Sequence, residues 1–359
     1  MSSRWTLPPF TIGEIAPNFM ASTRTNPTYH FNTAAGRYVL LAFMPADQAR
    51  RGAALAAFQR ISPQFDGHRL AAFFVTPSAP GEDTPADRIP GQRWLFDADG
   101  EVRRRYHLGE DQGAWFLLDP ALRLITQAPL DAAEGLFDQI LALPSVEDYA
   151  GVPLVAPVLI APRVFTVDLC QRLIGYYDER GGLRSGVMRD IDGKTVGVLD
   201  PMKSRRDAII EDESLQREVV GAISRNLTPM IRRALQFRAT RLERYLVARY
   251  AADEGGYFKA HRDNETLGTA HRRFACSINL NDDFDGGDLR FPEFGRRTYR
   301  PPVGGAVVFC CSLQHEATPV TRGQRYAFLP FLHDEAAQKI RDQNRGFIDN
   351  SRPAVESVA

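Results

Sequence analysis

The chain has 359 residues, 44% of them apolar and 25% charged, and its 44 basic side chains balance 44 acidic ones. That length exceeds what one hydrophobic core organises and predicts two domains, while the balanced charge removes the electrostatic case for a nucleic-acid or anionic-membrane partner. The N-terminus lacks a basic stretch leading into an apolar run, and no apolar stretch reaches the ~18 residues of a membrane span, so the cytoplasm is the expected setting.

In chain order, residues 37–44 and 69–75 are short apolar runs that read as buried strands, separated by a helix at 51–61. Asp97-Ala98-Asp99-Gly100 reads as a hairpin-like turn before 101–106. Asp119-Pro120 lies between the strand-like runs 115–119 and 122–126, which predicts a hairpin, and an amphipathic helix at 132–143 closes the region. Trp115 and Phe116 are expected in the core. The pattern predicts a small α/β layer domain over residues 1–150.

This half resembles the peroxiredoxin branch of the thioredoxin fold. Gly13-Glu14-Ile15-Ala16-Pro17-Asn18-Phe19 is similar to that family's opening G-x-x-A-P-x-F, residues 41–45 to the strand entering its active-site loop, and 96–106 to its D-x-x-G-x-V-x-x-x-Y segment. The family's peroxidatic cysteine is missing from Pro45-Ala46-Asp47-Gln48-Ala49-Arg50. The four cysteines, Cys170, Cys276, Cys310 and Cys311, all lie in the second half. Thiol-based peroxide reduction needs a thiolate. The domain is therefore expected to be a redox-inert scaffold or interaction module, and His30, His68 and His107 are assigned no chemistry.

Residues 151–162 form a proline-rich extended connector. Thr166 opens a helix to about Tyr177, residues 181–204 read as a long loop or lid, and an amphipathic helix follows at 214–235, capped by Asp212 or Ser214. Strand-like runs then recur at 244–250, 258–263, 275–281, 288–291, 306–311, 315–320 and 325–331, which predicts a jelly roll or barrel over 151–342. Cys310 and Cys311 read as core residues. Residues 343–359 read as a disordered tail.

His261 and Asp263 sit two apart on the predicted strand 258–263, so they share one face, and His315 follows Asp263 by 52 residues. Two imidazoles and one carboxylate with open positions are the ligand set of non-haem Fe(II) oxygenases. Arg325 lies ten residues beyond His315, about 33 Å if extended, so a turn near Arg322-Gly323 must return it to the site. Its planar fork suits a dicarboxylate's far end. Arg322 is the rival cation and is expected in solvent. Taken singly, His261 and His315 would read as surface histidines; His271, in a polar loop, is expected to be exposed, and Arg273 structural.

Residues 155–335 resemble the prolyl 4-hydroxylase branch of the Fe(II)/2-oxoglutarate dioxygenases. The likeness rests on 255–263 (GGYFKAHRD), 273–281 (RFACSINLN), 286–292 (GGDLRFP), 302–309 (PVGGAVVF) and the spacing from His315 to Arg325. It implies a double-stranded β-helix, or jelly roll, with flanking helices. It implies iron on His261, Asp263 and His315, 2-oxoglutarate on Arg325, and Tyr250 contacting that cosubstrate; Asn279 joins them if its strand parity points it inward. Leu289 stands where the family has a threonine, which leaves the pocket drier. The implied activity is O2-dependent hydroxylation of an unactivated C–H, coupled to decarboxylation of 2-oxoglutarate to succinate, with ascorbate as a candidate reductant. Its substrate would be a small molecule or peptide. A non-catalytic protein that senses iron and 2-oxoglutarate is the alternative, and oligomeric state is not legible.

Overall fold

The computed structural model describes residues 10–79, 86–109 and 111–349, with the backbone of 355–356. Contacts divide the chain into two compact units, Met1–Val155 with Pro292–Arg296, and Ala156–Phe291 with Arg297–Val358. The boundary thus falls at Val155 rather than at 150, and Pro292–Arg296 counts with the first unit.

In the first unit, Tyr38–Phe43 is buried at every position, as a strand covered on both faces must be. It pairs in parallel with Leu70–Thr76, which pairs in parallel with the edge strand Gln92–Phe96. On its other side Ala114–Leu118 and Leu124–Pro129 run antiparallel. Leu40, Phe58, Trp115 and Phe137 share the core on one face of this sheet. Leu41, Phe31, Tyr106 and Phe116 share the core on the other. The helix Gln48–Gln59 begins where the Asp47 carboxylate accepts from the Arg50 N–H at 2.7 Å, so Asp47 is a helix cap.

The turn Asp97–Gly100 does not lead into a strand. It opens the short helix Glu101–Arg105, because the buried Asp97 carboxylate accepts from the backbone N–H groups of Val102 and Arg103, each at 2.9 Å. Both bonds satisfy donors that a helix start leaves unpaired.

The second unit is built on two sheets. The larger runs in the order Arg241–Glu243, Phe331–His333, Phe274–Asn279, Gln324–Phe328, Leu246–Ala251, Arg206–Ile209, Leu183–Arg184, with Ala306–Cys310 pairing Phe274–Asn279 and Leu159–Ala161 pairing Ala306–Cys310. The smaller runs Lys203–Ser204, Tyr257–His261, His315–Ala317, Leu289–Arg290, Thr298–Tyr299. Leu246, Ala248 and Tyr250 of the larger sheet share one apolar cluster with Ala317 of the smaller, so the sheets pack face to face. Apolar residues of the helices Val167–Arg180, Glu213–Asn226 and Thr228–Leu235 join Val247, Ile278, Val308 and Phe328 in a second core.

Several segments differ from expectation for identifiable reasons. Pro229 divides the expected helix 214–235 into two, since proline lacks an N–H and fits only the first turn. Thr166 and Asp212 act as the caps. The expected loop 181–204 contains a hairpin, Val187–Ile191 against Lys194–Leu199. Its turn places Asp192 and Gly193 at φ 52° and 72°, the pairing that Asp-Gly favours. The expected strands 315–320 and 325–331 are each interrupted near a proline, at Pro319 and Pro330. Of the tail expected to be disordered, Asn344–Phe347 forms a 3-10 turn, and Asn344 and Asp349 bond to the backbone of Leu267 and Thr195. Residues 350–354 and 357–359 lie outside the described residues. No helix among the described residues is long and apolar enough to cross a membrane.

Asp97→Ala should cost the first unit on the order of 2 kcal/mol through lost capping, and Asp97→Asn less than half of that, because an amide oxygen still accepts. The chain's tryptophans, Trp5, Trp94 and Trp115, all lie in this half, so urea unfolding followed by tryptophan fluorescence reads the effect directly. Equal midpoints for the wild type and Asp97→Ala would contradict it.

Candidate metal centre

The strand Leu246–Ala251 ends in a turn, Ala252–Glu254, closed by Gly255 at φ 62°. Gly256 then folds back so tightly that a Cβ there would lie 2.6 Å from the Ala251 nitrogen. Only glycine permits that approach. The chain continues as Tyr257–His261 and pairs antiparallel with His315–Ala317, with His261 directly opposite His315. Asp263 lies just past the strand end rather than within it, and its N–H donates to the Cys311 carbonyl at 3.0 Å.

These three side chains converge. His261 Nε2 lies 3.5 Å from Asp263 Oδ1, and His315 Nε2 lies 3.2 Å from Asp263 Oδ2. One ligand atom from each falls within 4.8 Å of the others. His261 Nδ1 meets the Lys259 carbonyl at 2.7 Å, and His315 Nδ1 meets the Leu313 carbonyl at 3.0 Å. A carbonyl can only accept, so each Nδ1 carries the proton and each Nε2 offers a lone pair. Burial, then the His315 neighbour, pushes the His261 imidazolium down to about 4. Burial alone would raise the Asp263 carboxyl, but His315 and His261 outweigh it and hold it well below the usual range. Two Nε2 atoms facing an ionised carboxylate are the donor set that metal binding requires. Arg272 reaches the Asp263 carbonyl at 3.3 Å from a guanidinium anchored on Glu243.

The same cavity is lined by Tyr250, Ser277 and Arg325. Tyr250 and Arg325 are paired across neighbouring strands. Gly323, at φ 72° and packed on the Asp283 carbonyl, makes the turn that returns Arg325 toward the histidines. Asn279 Oδ1 accepts from Arg325 Nε at 3.1 Å and from Nη2 at 3.0 Å, while Ser277 Oγ takes Nη2 at 2.7 Å. The strand parity of Asn279 does point it toward the site, where its oxygen accepts from Arg325 while its amide donates to the Pro301 carbonyl. Arg322 lies in solvent and pairs with Asp285 at 2.6 Å. Leu289 and Phe309 give the cavity apolar walls.

Some residues depart from the sequence reading. His271 is buried rather than exposed and bonds to the Glu243 carboxylate. Cys311 is buried, but Cys310 is partly exposed, with its sulfur 3.0 Å from Ser312 Oγ. Lys203, Arg205, Asp207 and Arg244 were not anticipated. Arg205 Nη2 donates to Asp207 Oδ2 at 2.6 Å and Nη1 reaches the Tyr250 hydroxyl at 3.4 Å. Lys203 Nζ donates to Ser185 and to the Gly186 carbonyl, 4.9 Å above the Phe258 ring. Lys203 lies on Lys203–Ser204 of the smaller sheet and Asp207 on Arg206–Ile209 of the larger, so no single strand face in the sequence announces the cluster.

Asp207 supplies a test of this charge cluster. Burial opposes its ionisation, but Arg205 above all, then Lys203, lowers its carboxyl from 3.8 to about 2. A depressed carboxyl contributes stability above its unfolded value and loses it as pH falls through the folded one. Asp207→Asn should therefore cost on the order of 2 kcal/mol at pH 7, and the gap from wild type should close as pH falls from about 4 to about 2. Urea unfolding across that range measures the gap; a gap independent of pH would contradict the assignment.

Residues 245–333 match the 2OG-Fe(II) oxygenase superfamily, and the C-terminal part of the chain carries a domain of that kind. A PKHD-type hydroxylase of Stenotrophomonas maltophilia (strain R551-3) is 29% identical over 175 residues, 45% of this chain and 76% of that protein. In three further curated relatives, also PKHD-type hydroxylases, the chain spans little more than half of their length. Among solved structures, a Pseudomonas putida prolyl-4-hydroxylase is 18% identical over 52% of this chain and 96% of its own, with a TM-score of 0.38. A putative thiol:disulfide interchange protein DsbE from Chlorobium tepidum is 22% identical over 37% of this chain and 97% of its own, with a TM-score of 0.32.

Proposed function

We propose that the chain is an Fe(II)- and 2-oxoglutarate-dependent dioxygenase of the prolyl 4-hydroxylase type. It hydroxylates an unactivated C–H of a peptide or small molecule, on a unit we read as a double-stranded β-helix. The observation that carries this is the convergence of His261 Nε2, His315 Nε2 and the Asp263 carboxylate in the cavity that also holds the Arg325 guanidinium.

His261, Asp263 and His315 would hold the iron, each imidazole kept in its ligating tautomer by a backbone carbonyl. Iron so held supplies oxidative decarboxylation of 2-oxoglutarate by O2, with ascorbate as the reductant that restores Fe(II). Arg325 binds the distal carboxylate. Asn279 and Ser277 occupy its Nε and Nη2, which leaves Nη1 for the ligand and locks the plane of the fork. Tyr250, paired opposite Arg325, walls the cosubstrate, and Asn279 acts through the guanidinium. Leu289, Phe258 and Phe309 exclude water from the reacting end. The first unit, which has no cysteine, serves as a scaffold or substrate-docking module.

With Fe(II), O2 and 2-oxoglutarate the full chain should form succinate, and His261→Ala should lower that rate more than ~100-fold. Arg325→Ala should raise the KM for 2-oxoglutarate about 10- to 100-fold, the loss of one charge-assisted hydrogen-bonding group; Arg325→Lys should recover part of it. Succinate formation unchanged in His261→Ala would reject the proposal.

A further inference from the structure

The cavity holds more positive charge than the proposed cosubstrate can use. Arg272 is neutralised by Glu243 at 2.7 Å. In the reading above, Arg325 is satisfied by the distal carboxylate of 2-oxoglutarate. Arg205 and Arg244 remain, and among the described residues both have Asp207 as their ion-pair partner, at 2.6 and 3.6 Å. Asp207 carries one negative charge against two guanidiniums, and Lys203 lies beside them.

Arg244 is the less satisfied of the two. Its guanidinium makes no hydrogen bond among the described residues, although it has five N–H groups to offer. It stands 5.2 Å over the Phe331 ring, with its side chain 27% exposed at the cavity wall. Its backbone is left-handed, φ 71°, a conformation a non-glycine residue adopts at a cost and keeps where something repays it. Arg205 is buried, and its Nε has no hydrogen-bond partner. The Tyr250 ring is near both Arg325 and Arg205, 5.4 Å and 5.8 Å from its centre. Arg205 and Arg325 use different acceptors, Asp207 and Ser185 for the first, Asn279 and Ser277 for the second.

We propose that Arg205 and Arg244 form a second anion subsite, which binds a carboxylate or phosphate carried by the substrate itself. The inference rests on the dioxygenase reading, in which both carboxylates of 2-oxoglutarate are already held by Arg325 and the metal. Buried or half-buried cations without a counter-charge are costly. An anionic substrate supplies that charge on binding, while a neutral analogue leaves the guanidiniums unpaired. Selectivity for the charged form follows. The apolar walls at Phe258, Phe309 and Phe331 favour a hydrocarbon body joined to that anionic end.

Phenylacetate, phenylacetamide and benzyl phosphate test the proposal. Each is titrated by calorimetry into the full-length chain under anaerobic conditions, with Fe(II) present and 2-oxoglutarate saturating. The acid or the phosphate ester should bind about tenfold tighter than the amide, and whichever is tighter identifies the anion. Arg244→Met should abolish the preference and Arg244→Lys should retain part of it. A thermal midpoint for each variant establishes that it is folded. Equal affinities for acid and amide would overturn the subsite, as would a preference that survives Arg244→Met. So would acid binding that occurs only when 2-oxoglutarate is omitted, since the anion would then occupy Arg325. Failure of the dioxygenase reading is separate: the wild type would not bind 2-oxoglutarate. The same probes titrated into the metal-free chain would then still decide whether an Arg244-dependent preference exists.

Discussion

The register of two short strands governs the site. His261 stands opposite His315 because Tyr257–His261 pairs antiparallel with His315–Ala317, and a slip of one residue would turn either imidazole to the far face. Gly256 sets that register at one end, where its contact with the Tyr250 and Ala251 backbone excludes any Cβ. Val320, just beyond His315–Ala317, donates to the Gly256 carbonyl and fixes the same corner. The carbonyls of Lys259 and Leu313 then orient the rings from two residues before each histidine. The orientation of the two rings is thus a backbone property, and a metal held there would have little reorganisation to impose.

Opposite the histidines, the larger sheet supplies cations. Arg325 is buried, but the hydrogen bonds it donates to two neighbouring side chains hold its fork in place. Arg205 and Arg244 share Asp207, which is itself left with one buried carboxylate oxygen unpaired. The contrast matters physically. Arg325 is preorganised and nearly satisfied, which suits the carboxylate-binding role proposed for it. The Arg205–Arg244 pair is under-neutralised, and burial pushes Arg244 down to about 10, with repulsion from Arg205 adding to it. A folded protein tolerates such a deficit where function returns it.

The site was legible where chemistry and spacing coincide. The H-x-D triplet, His315 and Arg325 could be read because metal ligation and carboxylate recognition each restrict the residue types allowed. The cavity's remaining cations were not legible, since they depend on long-range pairing: Arg206–Ile209 lies beside Leu246–Ala251, and nothing local announces it. His271 looked exposed because its surroundings in sequence are polar; Glu243, 28 residues away, buries it. Local chemistry also decides against three expectations: Asp192-Gly193 turns a hairpin within the expected loop 181–204, Pro229 breaks the expected helix 214–235, and the Asp97 carboxylate caps a helix rather than leading into a strand.

The two halves illustrate opposite outcomes of one principle, that a fold carries function only through its site. In the first unit the segment after Pro45 begins a helix, with Asp47 spent on the Arg50 N–H. The buried Arg103 donates to the Met44 carbonyl at 2.8 Å and so stiffens the same corner from beneath. Scaffold and loop support persist there without a nucleophile, and the stability they provide does not need one. In the second unit the donors converge, and the polar groups behind them, Asn279, Ser277 and Arg272, bond to the residues that line the cavity. Buried polar groups that serve only packing could be replaced by apolar ones at little cost. Their concentration behind the His261–Asp263–His315 cavity is therefore what a site, rather than packing alone, would require.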